Sequence, residues 1–120
     1  MFPMGLVTGN TYVMKPSEQD PGPCMLLVQL LQEAGLPDGV LNVIHGQKGA
    51  VDAICDSPYV KAVSFVGGDR VGKYIYERGS STGKRVQSNM VSPPHLIVHI
   101  CILMCACVCA GCQEPWCDHA

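Results

Sequence analysis

The sequence predicts an α/β fold, a partial doubly wound domain in which helices cover a parallel sheet. Short apolar runs with strand character alternate with helical segments along residues 6–90. The connections between them are short, which favours strands that are joined through helices and lie side by side in one sheet. The predicted order is β-α-β-α-β-α-β.

The first half of the body contains two predicted strands and a helix. Residues 6–13 are apolar enough for a buried strand,. Asp20 and Pro21 then begin a helix, with a capping oxygen followed by a proline, and Gly35 ends it. This helix is apolar on nearly every side, which predicts that it packs between layers. After a turn, Val40–Ile44 forms a short buried strand,.

The second half repeats the alternation. Residues Gly49–Cys55 predict a short helix. Val60–Val66 is a third strand, and Asp69–Arg78 is a third helix that closes at Gly79,. Lys84–Gln87 begins a fourth strand, so the body ends on the sheet.

Composition divides the chain into residues 1–90 and residues 91–120. The 120 residues allow one domain, and the net charge of −2 gives no reason to expect nucleic acid,. Every Lys and Arg lies between Lys15 and Arg85, whereas six of the eight cysteines lie beyond residue 100. The two cysteines of the body, Cys24 and Cys55, indicate a reducing compartment rather than a disulfide framework.

Two motifs at strand ends indicate a nucleotide site. Lys15 and Glu18 follow the first strand, and a cation with a carboxylate suits a ribose and its neighbouring phosphate. Gly67 and Gly68 open the third helix, where free backbone N–H groups and the helix dipole suit a pyrophosphate. The pair of motifs predicts half of a dinucleotide-binding domain.

In its first 90 residues the chain resembles the aldehyde dehydrogenase superfamily, and within it the CoA-acylating branch that oxidises methylmalonate semialdehyde. The resemblance covers this body in order and almost without gaps. The motifs that carry it are Met1-Phe2-Pro3-Met4, Gly9-Asn10-Thr11, Met14-Lys15-Pro16-Ser17-Glu18, Gly35-Leu36-Pro37-Asp38-Gly39, Asn42-Val43-Ile44-His45-Gly46, Phe65-Val66-Gly67 and Gly83-Lys84-Arg85-Val86-Gln87-Ser88-Asn89-Met90.

This resemblance implies an NAD site without a Gly-x-Gly-x-x-Gly loop, and the chain has no such loop. Gly68 stands where the family usually has a pyrophosphate-binding serine, and Asp69 adds a carboxylate that would repel a pyrophosphate. We therefore expect weaker NAD binding than is usual in the family. The implied cofactor-binding residues are Lys15 and Glu18 at the adenosine ribose with Gln19 beside them, Gly68 at the pyrophosphate, and, more weakly, Gly46 and Val71 at the adenine.

The resemblance also implies a reaction, with CoA as co-substrate. Asn89 stands where hydrolytic relatives have a glutamate base, and an amide cannot act as a general base. This agrees with transfer of the acyl group to CoA. The family's cysteine nucleophile, its oxyanion asparagine and its catalytic domain are not in the sequence, so we expect no catalytic residue and no activity from this chain. The alternative function is a non-catalytic nucleotide-binding or interaction fragment.

For location and partners the resemblance implies a mitochondrial protein that acts on a small molecule. No transit peptide is expected at the N-terminus, which otherwise favours the cytoplasm. We expect neither nucleic-acid nor membrane partners. An exposed sheet edge makes association with the intact enzyme an open alternative.

Three interpretations of residues 91–120 remain open. The abrupt change of composition inside a strand favours a non-native, irregular or disordered tail, from altered splicing or a frame shift. A membrane anchor over residues 96–110 is too short to span a bilayer. Cys105, Cys107, Cys109 and Cys112 have thiolates for zinc or copper(I), but their spacing fits no structural zinc framework, and we expect no metal,.

Overall fold

The structure, a computed structural model, describes residues 2–91 and, as backbone, residues 104–108. These residues form helices on both faces of one five-stranded sheet. In chain order the elements are α1 (Phe2–Val7), β1 (Thr11–Lys15), α2 (Gly22–Glu33), β2 (Leu41–Val43), α3 (Lys48–Asp56), β3 (Ala62–Gly68), α4 (Asp69–Ser81), β4 (Arg85–Val91) and β5 (Met104–Val108).

The strand order is β2-β1-β5-β3-β4. β1 pairs in parallel with β2, and β3 in parallel with β4, each pair being joined through a helix. β5 lies between them and is antiparallel to both, with Ala106 opposite Val13 on one side and Val63 on the other. β1 and β3 therefore run in the same direction. The predicted α/β fold with parallel strand pairs is confirmed, and an antiparallel strand lies at its centre.

The core consists of two clusters on opposite faces of this sheet. Successive side chains of a strand point to opposite faces, so Met14 and Val13 belong to different clusters. The first cluster joins α1, β1 and α2, and its buried residues are Phe2, Tyr12, Met14 and Cys24. The second joins α3, β3 and α4, and its buried residues are Ile54, Cys55, Val60, Val63, Phe65 and Ile75.

The prediction of a strand over residues 6–13 was wrong at its beginning. Residues Phe2–Val7 form α1, and the strand runs over Thr11–Lys15. The division lies at Gly9, whose φ of 82° is a conformation that favours glycine,. Thr8 closes the helix, since its Oγ1 donates to the carbonyl oxygens of Met4 and Gly5 at 3.0 Å. A continuous apolar run therefore contains two elements.

The two long helices also differ from the predictions. α2 ends at Glu33, and Gly35, the predicted stop, follows two residues later with φ 89°. The helix does not pack between layers. Only Cys24 of this helix is buried, and Leu26 and Leu30 remain more than half exposed. α4 continues through Gly79, the predicted end, to Ser81. A Cβ at Gly79 would lie 2.6 Å from Cγ2 of Val86 on β4. The glycine therefore serves close packing of α4 against β4 and does not end the helix.

The cysteine-rich tail was predicted to be irregular, and its described part is β5. The other residues of the tail lie outside the described residues, and so do the cysteine side chains of the metal-site alternative. Among the described residues, no helix is long and apolar enough to cross a membrane. The boundary between the body and the tail at residue 90 stays a prediction.

Candidate nucleotide-binding site

The candidate site lies at the carboxyl ends of β1 and β3. From β1 the chain crosses through α2 to β2 on one side, and from β3 it crosses through α4 to β4 on the other. The strand order therefore reverses between β1 and β3. In open α/β sheets a crevice forms at such a point, and ligands bind there.

A cavity of about 390 Å³ is present in this region. Its wall has an apolar part from β3, α3 and α4 and a polar part that includes the end of β1. This combination suits a ligand with a flat apolar ring and an anionic or hydroxylated portion. The lining residues are Lys15, Glu18, Gln47, Lys48, Val51, Phe65, Arg70, Val71, Tyr74 and Ile75.

Lys15 is the last residue of β1, and its side chain is only 3% exposed. Its Nζ donates to the carbonyl oxygen of Pro16 at 2.8 Å and lies 3.5 Å from Oε2 of Glu18. A buried ammonium group needs such oxygen partners. Glu18 is about half exposed, at 51%, so its carboxylate remains accessible to a ligand. The end of β1 thus holds the ammonium group of Lys15 in place, and the turn that follows places the carboxylate of Glu18 beside it.

The turn after β1 also contains Gln19. Its backbone N–H donates to Oγ of the buried Ser17 at 3.2 Å, which orders the turn. The side chain of Gln19 is exposed and is not part of the cavity wall that the described residues form. Lys15, Glu18 and Val71 of the predicted set do line one cavity, whereas Gln19, Gly46 and Gly68 do not. The role of each in cofactor binding stays a prediction.

Gly68 is the residue before α4, with φ −70° and ψ 149°. These angles are open to any residue, and a Cβ built at Gly68 would meet nothing within 4 Å. The backbone therefore does not require a glycine here, and a serine would fit. Asp69 begins the helix, and its carboxylate lies 3.8 Å from Nζ of Lys73 one turn later. That contact offsets part of the negative charge at the helix start.

Tyr74 fixes the wall that α3 and α4 share. Its hydroxyl donates to Oδ1 of Asp52 at 2.6 Å and accepts from Lys48 at 2.7 Å and from Arg78 at 2.8 Å. Arg78 also donates two bonds to the carboxylate of Asp56, at 2.9 and 2.7 Å. These bonds link the start of α3 to the middle of α4 and hold Lys48 at the cavity.

The same network sets the charge states of its members. Hydrogen bonds from Lys48 and Tyr74 hold the pKa of Asp52 below its ordinary value, and Arg78 does the same to the pKa of Asp56. In return, the hydrogen bond with Asp52 raises the pKa of Lys48, and the bond with Asp56 raises the pKa of Arg78. All four groups are therefore charged near neutral pH.

Several cavity residues were not predicted from the sequence. Lys48 and Asp52 are spaced as an i,i+4 pair, a pattern visible in the sequence, and so are Tyr74 and Arg78,. Nothing in the sequence, however, shows that the two pairs meet. Arg70 follows Gly68 and Asp69 in the sequence, but no motif of the sequence marks it as a ligand-binding residue.

No cysteine lines this cavity within the described part of the chain. Asn89 lies on β4, opposite Val66 in the register, with its side chain exposed. Cys24 and Cys55 are buried thiols away from the cavity wall, and burial raises the pKa of Cys55, which opposes thiolate formation,. No group of three metal-ligating side chains occurs among the described residues. In the described part of the chain, the cavity wall therefore contains charged and apolar side chains but no thiol.

The fold and the site define an α/β domain with a cavity at the carboxyl ends of its parallel strands,. The model of the aldehyde dehydrogenase family matches residues 1–100, so the chain belongs to the aldehyde dehydrogenase family. This match continues past Met90, the predicted end of the resemblance.

Among curated members of the family, the chain is similar to dehydrogenases of methylmalonate and malonate semialdehyde. A Caenorhabditis elegans protein named as a probable methylmalonate-semialdehyde/malonate-semialdehyde dehydrogenase (acylating, mitochondrial) is 63% identical over 98 residues. The mouse methylmalonate-semialdehyde/malonate-semialdehyde dehydrogenase is 60% identical over 98 residues. Each alignment covers 82% of this chain but only 19% and 18% of the relative, respectively. The chain thus spans about a fifth of the length of these relatives.

Solved structures show the same similarity. Methylmalonate-semialdehyde dehydrogenase from Oceanimonas doudoroffii is 57% identical, with a TM-score of 0.71, over 73% of this chain and 18% of that one. A relative from Sinorhizobium meliloti 1021, crystallised with NAD, is 48% identical with the same TM-score of 0.71 and the same coverage of 73% and 18%. The predicted resemblance is confirmed.

Proposed function

We propose that the cavity between α3, α4 and the end of β1 binds the adenosine part of NAD. The observation that carries this proposal is the Lys15–Glu18 pair, a buried ammonium and an accessible carboxylate 3.5 Å apart on the wall of the cavity. A carboxylate accepts hydrogen bonds from the two hydroxyls of a ribose, and the apolar wall suits adenine. The S. meliloti relative holds NAD, which supports the choice of nucleotide.

The reaction of the whole enzyme is the wider part of the proposal. We infer oxidation of methylmalonate or malonate semialdehyde to propionyl-CoA or acetyl-CoA, with loss of the carboxyl group as carbon dioxide, because the curated relatives are named as acylating dehydrogenases of these semialdehydes. NAD would accept the hydride in that reaction, and CoA would take the acyl group. The amide of Asn89 supports CoA over water as the acceptor, since it cannot activate water. The relatives' names also support a mitochondrial location.

The 120-residue chain alone would bind nucleotide without catalysis. Neither of the cysteines in its described body lines the cavity. The purified chain, supplied with semialdehyde, NAD and CoA, should give no rise in absorbance at 340 nm above the blank. NADH formation by the chain would overturn this part of the proposal.

Calorimetry with NAD tests the binding site directly. Lys15→Ala and Glu18→Ala should each weaken NAD binding by roughly tenfold or more, because each removes a charged hydrogen-bonding group. The matched controls are Lys61→Ala and Glu33→Ala, which remove the same charges from exposed positions outside the cavity wall. Equal affinity in all four variants, or no heat from the unchanged chain at millimolar NAD, would refute the site.

A second candidate function is an interaction fragment. The observation that favours it is the exposed apolar face of α2, with Met25, Leu26, Leu27 and Leu30 between 36% and 58% exposed,. The occupant we propose is the intact enzyme, because relatives about five times as long have further chain available to cover the matching face. Co-elution of the chain with a full-length relative on size exclusion, lost in Leu26→Ser/Leu30→Ser, would support this function; separate elution would exclude it.

A further inference from the structure

Two of the three cationic side chains that line the cavity form ion pairs with carboxylates of the described residues. Lys15 is paired with Glu18 at 3.5 Å, and Lys48 is paired with Asp52 at 2.6 Å. Arg70 also lines the cavity, and its guanidinium makes no ion pair or hydrogen bond with any residue in the described part of the chain. Within the described residues, the wall therefore carries one positive charge, that of Arg70, which no ion pair offsets.

Arg70 directly follows Gly68 and Asp69, the two residues that are expected to weaken NAD binding. Gly68 has no hydroxyl to donate to a phosphate, and Asp69 adds a negative charge at the start of α4. The carboxylate of Asp69 is directed towards Lys73 at 3.8 Å and not to Arg70. The guanidinium of Arg70 thus keeps its N–H donors for a ligand. An arginine matches phosphate well, because its planar fork donates two parallel bonds to phosphate oxygens.

We propose that Arg70 is a phosphate-binding residue of this cavity, and that it receives the diphosphate of an adenine dinucleotide. The inference rests on the proposed function, since it needs adenosine in the neighbouring part of the cavity. Arg70 would supply the donor that Gly68 lacks and would offset the repulsion from Asp69. The expected weakening of the NAD site is therefore smaller than those two residues alone imply.

The proposal makes the contribution of Arg70 depend on the phosphate groups of the ligand. Adenosine has no phosphate group, so its affinity should not depend on the guanidinium of Arg70. ADP and NAD have a 5′-diphosphate and should both gain from it. The gain should fall as salt is added, because Arg70 is exposed and its charge is screened,.

Calorimetry of the full 120-residue chain with four probes tests the assignment: adenosine, ADP, NAD and 2′-AMP. Arg70→Ala should weaken ADP and NAD by roughly 5- to 20-fold and leave adenosine unchanged. Arg70→Lys keeps the charge but loses the fork, and it should recover part of the affinity. Lys61→Ala is the control for removal of a cation elsewhere. The Tm of Arg70→Ala should stay near that of the unchanged chain, since Arg70 has no ion-pair or hydrogen-bond partner among the residues that the structure describes.

Each other outcome overturns a different statement. Unchanged ADP and NAD affinities in Arg70→Ala would refute the role of Arg70 while leaving the nucleotide site in place. An equal loss for adenosine would mean that the residue shapes the cavity and does not bind phosphate. A loss confined to 2′-AMP would refute the assignment to the diphosphate. If the unchanged chain binds none of the probes, the proposed function and the role of Arg70 both fail.

Discussion

The central strand β5 should be necessary for the body to fold. β1 and β3 are not paired with each other; each is paired with β5. Removal of residues 92–120 therefore divides the sheet into two parallel pairs, β2-β1 and β3-β4. It also leaves without partners the backbone groups of β1 and β3 that faced β5. A pair of short strands is marginally stable at best.

The loss of stability on removal of β5 can be calculated from its hydrogen bonds to β1 and β3. β5 pairs with five positions of β1 and with four of β3. An antiparallel ladder has about one hydrogen bond for each paired position, and each bond stabilises by about 0.5–1.5 kcal/mol net. The two ladders together contribute roughly 5–13 kcal/mol. This matches the whole free energy of unfolding of an ordinary domain, about 5–15 kcal/mol, so the truncated chain should not fold cooperatively.

The assay is urea unfolding followed by circular dichroism, for the full chain and for a chain that ends at Val91. A point variant separates pairing from chain length. Ala106→Pro removes one N–H from the middle of β5 and is poorly tolerated in a central strand. Ala106→Ser keeps the N–H and is its control. A soluble 1–91 chain with the cooperative transition and the NAD affinity of the full chain would refute the argument.

Two further predictions concern the network between α3 and α4. Tyr74→Phe removes the hydroxyl that contacts Lys48, Asp52 and Arg78, and should lower Tm by roughly 4–8 °C; a Tm within 1 °C would show that water replaces these bonds. The folded-state pKa values of Asp52 and Asp56 are lowered from the ordinary 3.8. Their contribution to stability is therefore complete above that pH and is lost as pH falls through the lowered values. The double variant Asp52→Asn/Asp56→Asn should therefore lose less stability on acidification than the unchanged chain. Identical acid-unfolding profiles of the two proteins would contradict this prediction.

The fold of the body was largely predictable from local patterns. The alternation of apolar runs and helical segments gives the parallel pairs, and Gly35 marks the end of α2 as predicted. The errors arose where the same composition suits two structures. Residues 2–7 are as apolar as a strand but form a helix, since the division depends on the turn at Gly9 and on burial of Phe2.

The site was predictable in part. Lys15 and Glu18 lie within four residues of each other, so the end of one strand is enough to bring them together. Arg70 and Lys48 are also separated from Lys15 in sequence, and only the meeting of β1, α3 and α4 places them on one cavity wall. Tyr74 joins residues 22 and 26 positions away. Such contacts have no local signature.

The sequence by itself determined most elements of the body, with the exception of α1, together with the charged pair at the end of β1 and the family to which the chain belongs. These depend on neighbouring residues and on ordered motifs. Only the tertiary structure decided that β5 joins the two halves of the sheet, that α2 leaves an apolar face exposed, and that Arg70 is the unbalanced charge of the cavity. The physical reason is distance along the chain. Packing and charge balance depend on groups that come together only when the sheet is assembled.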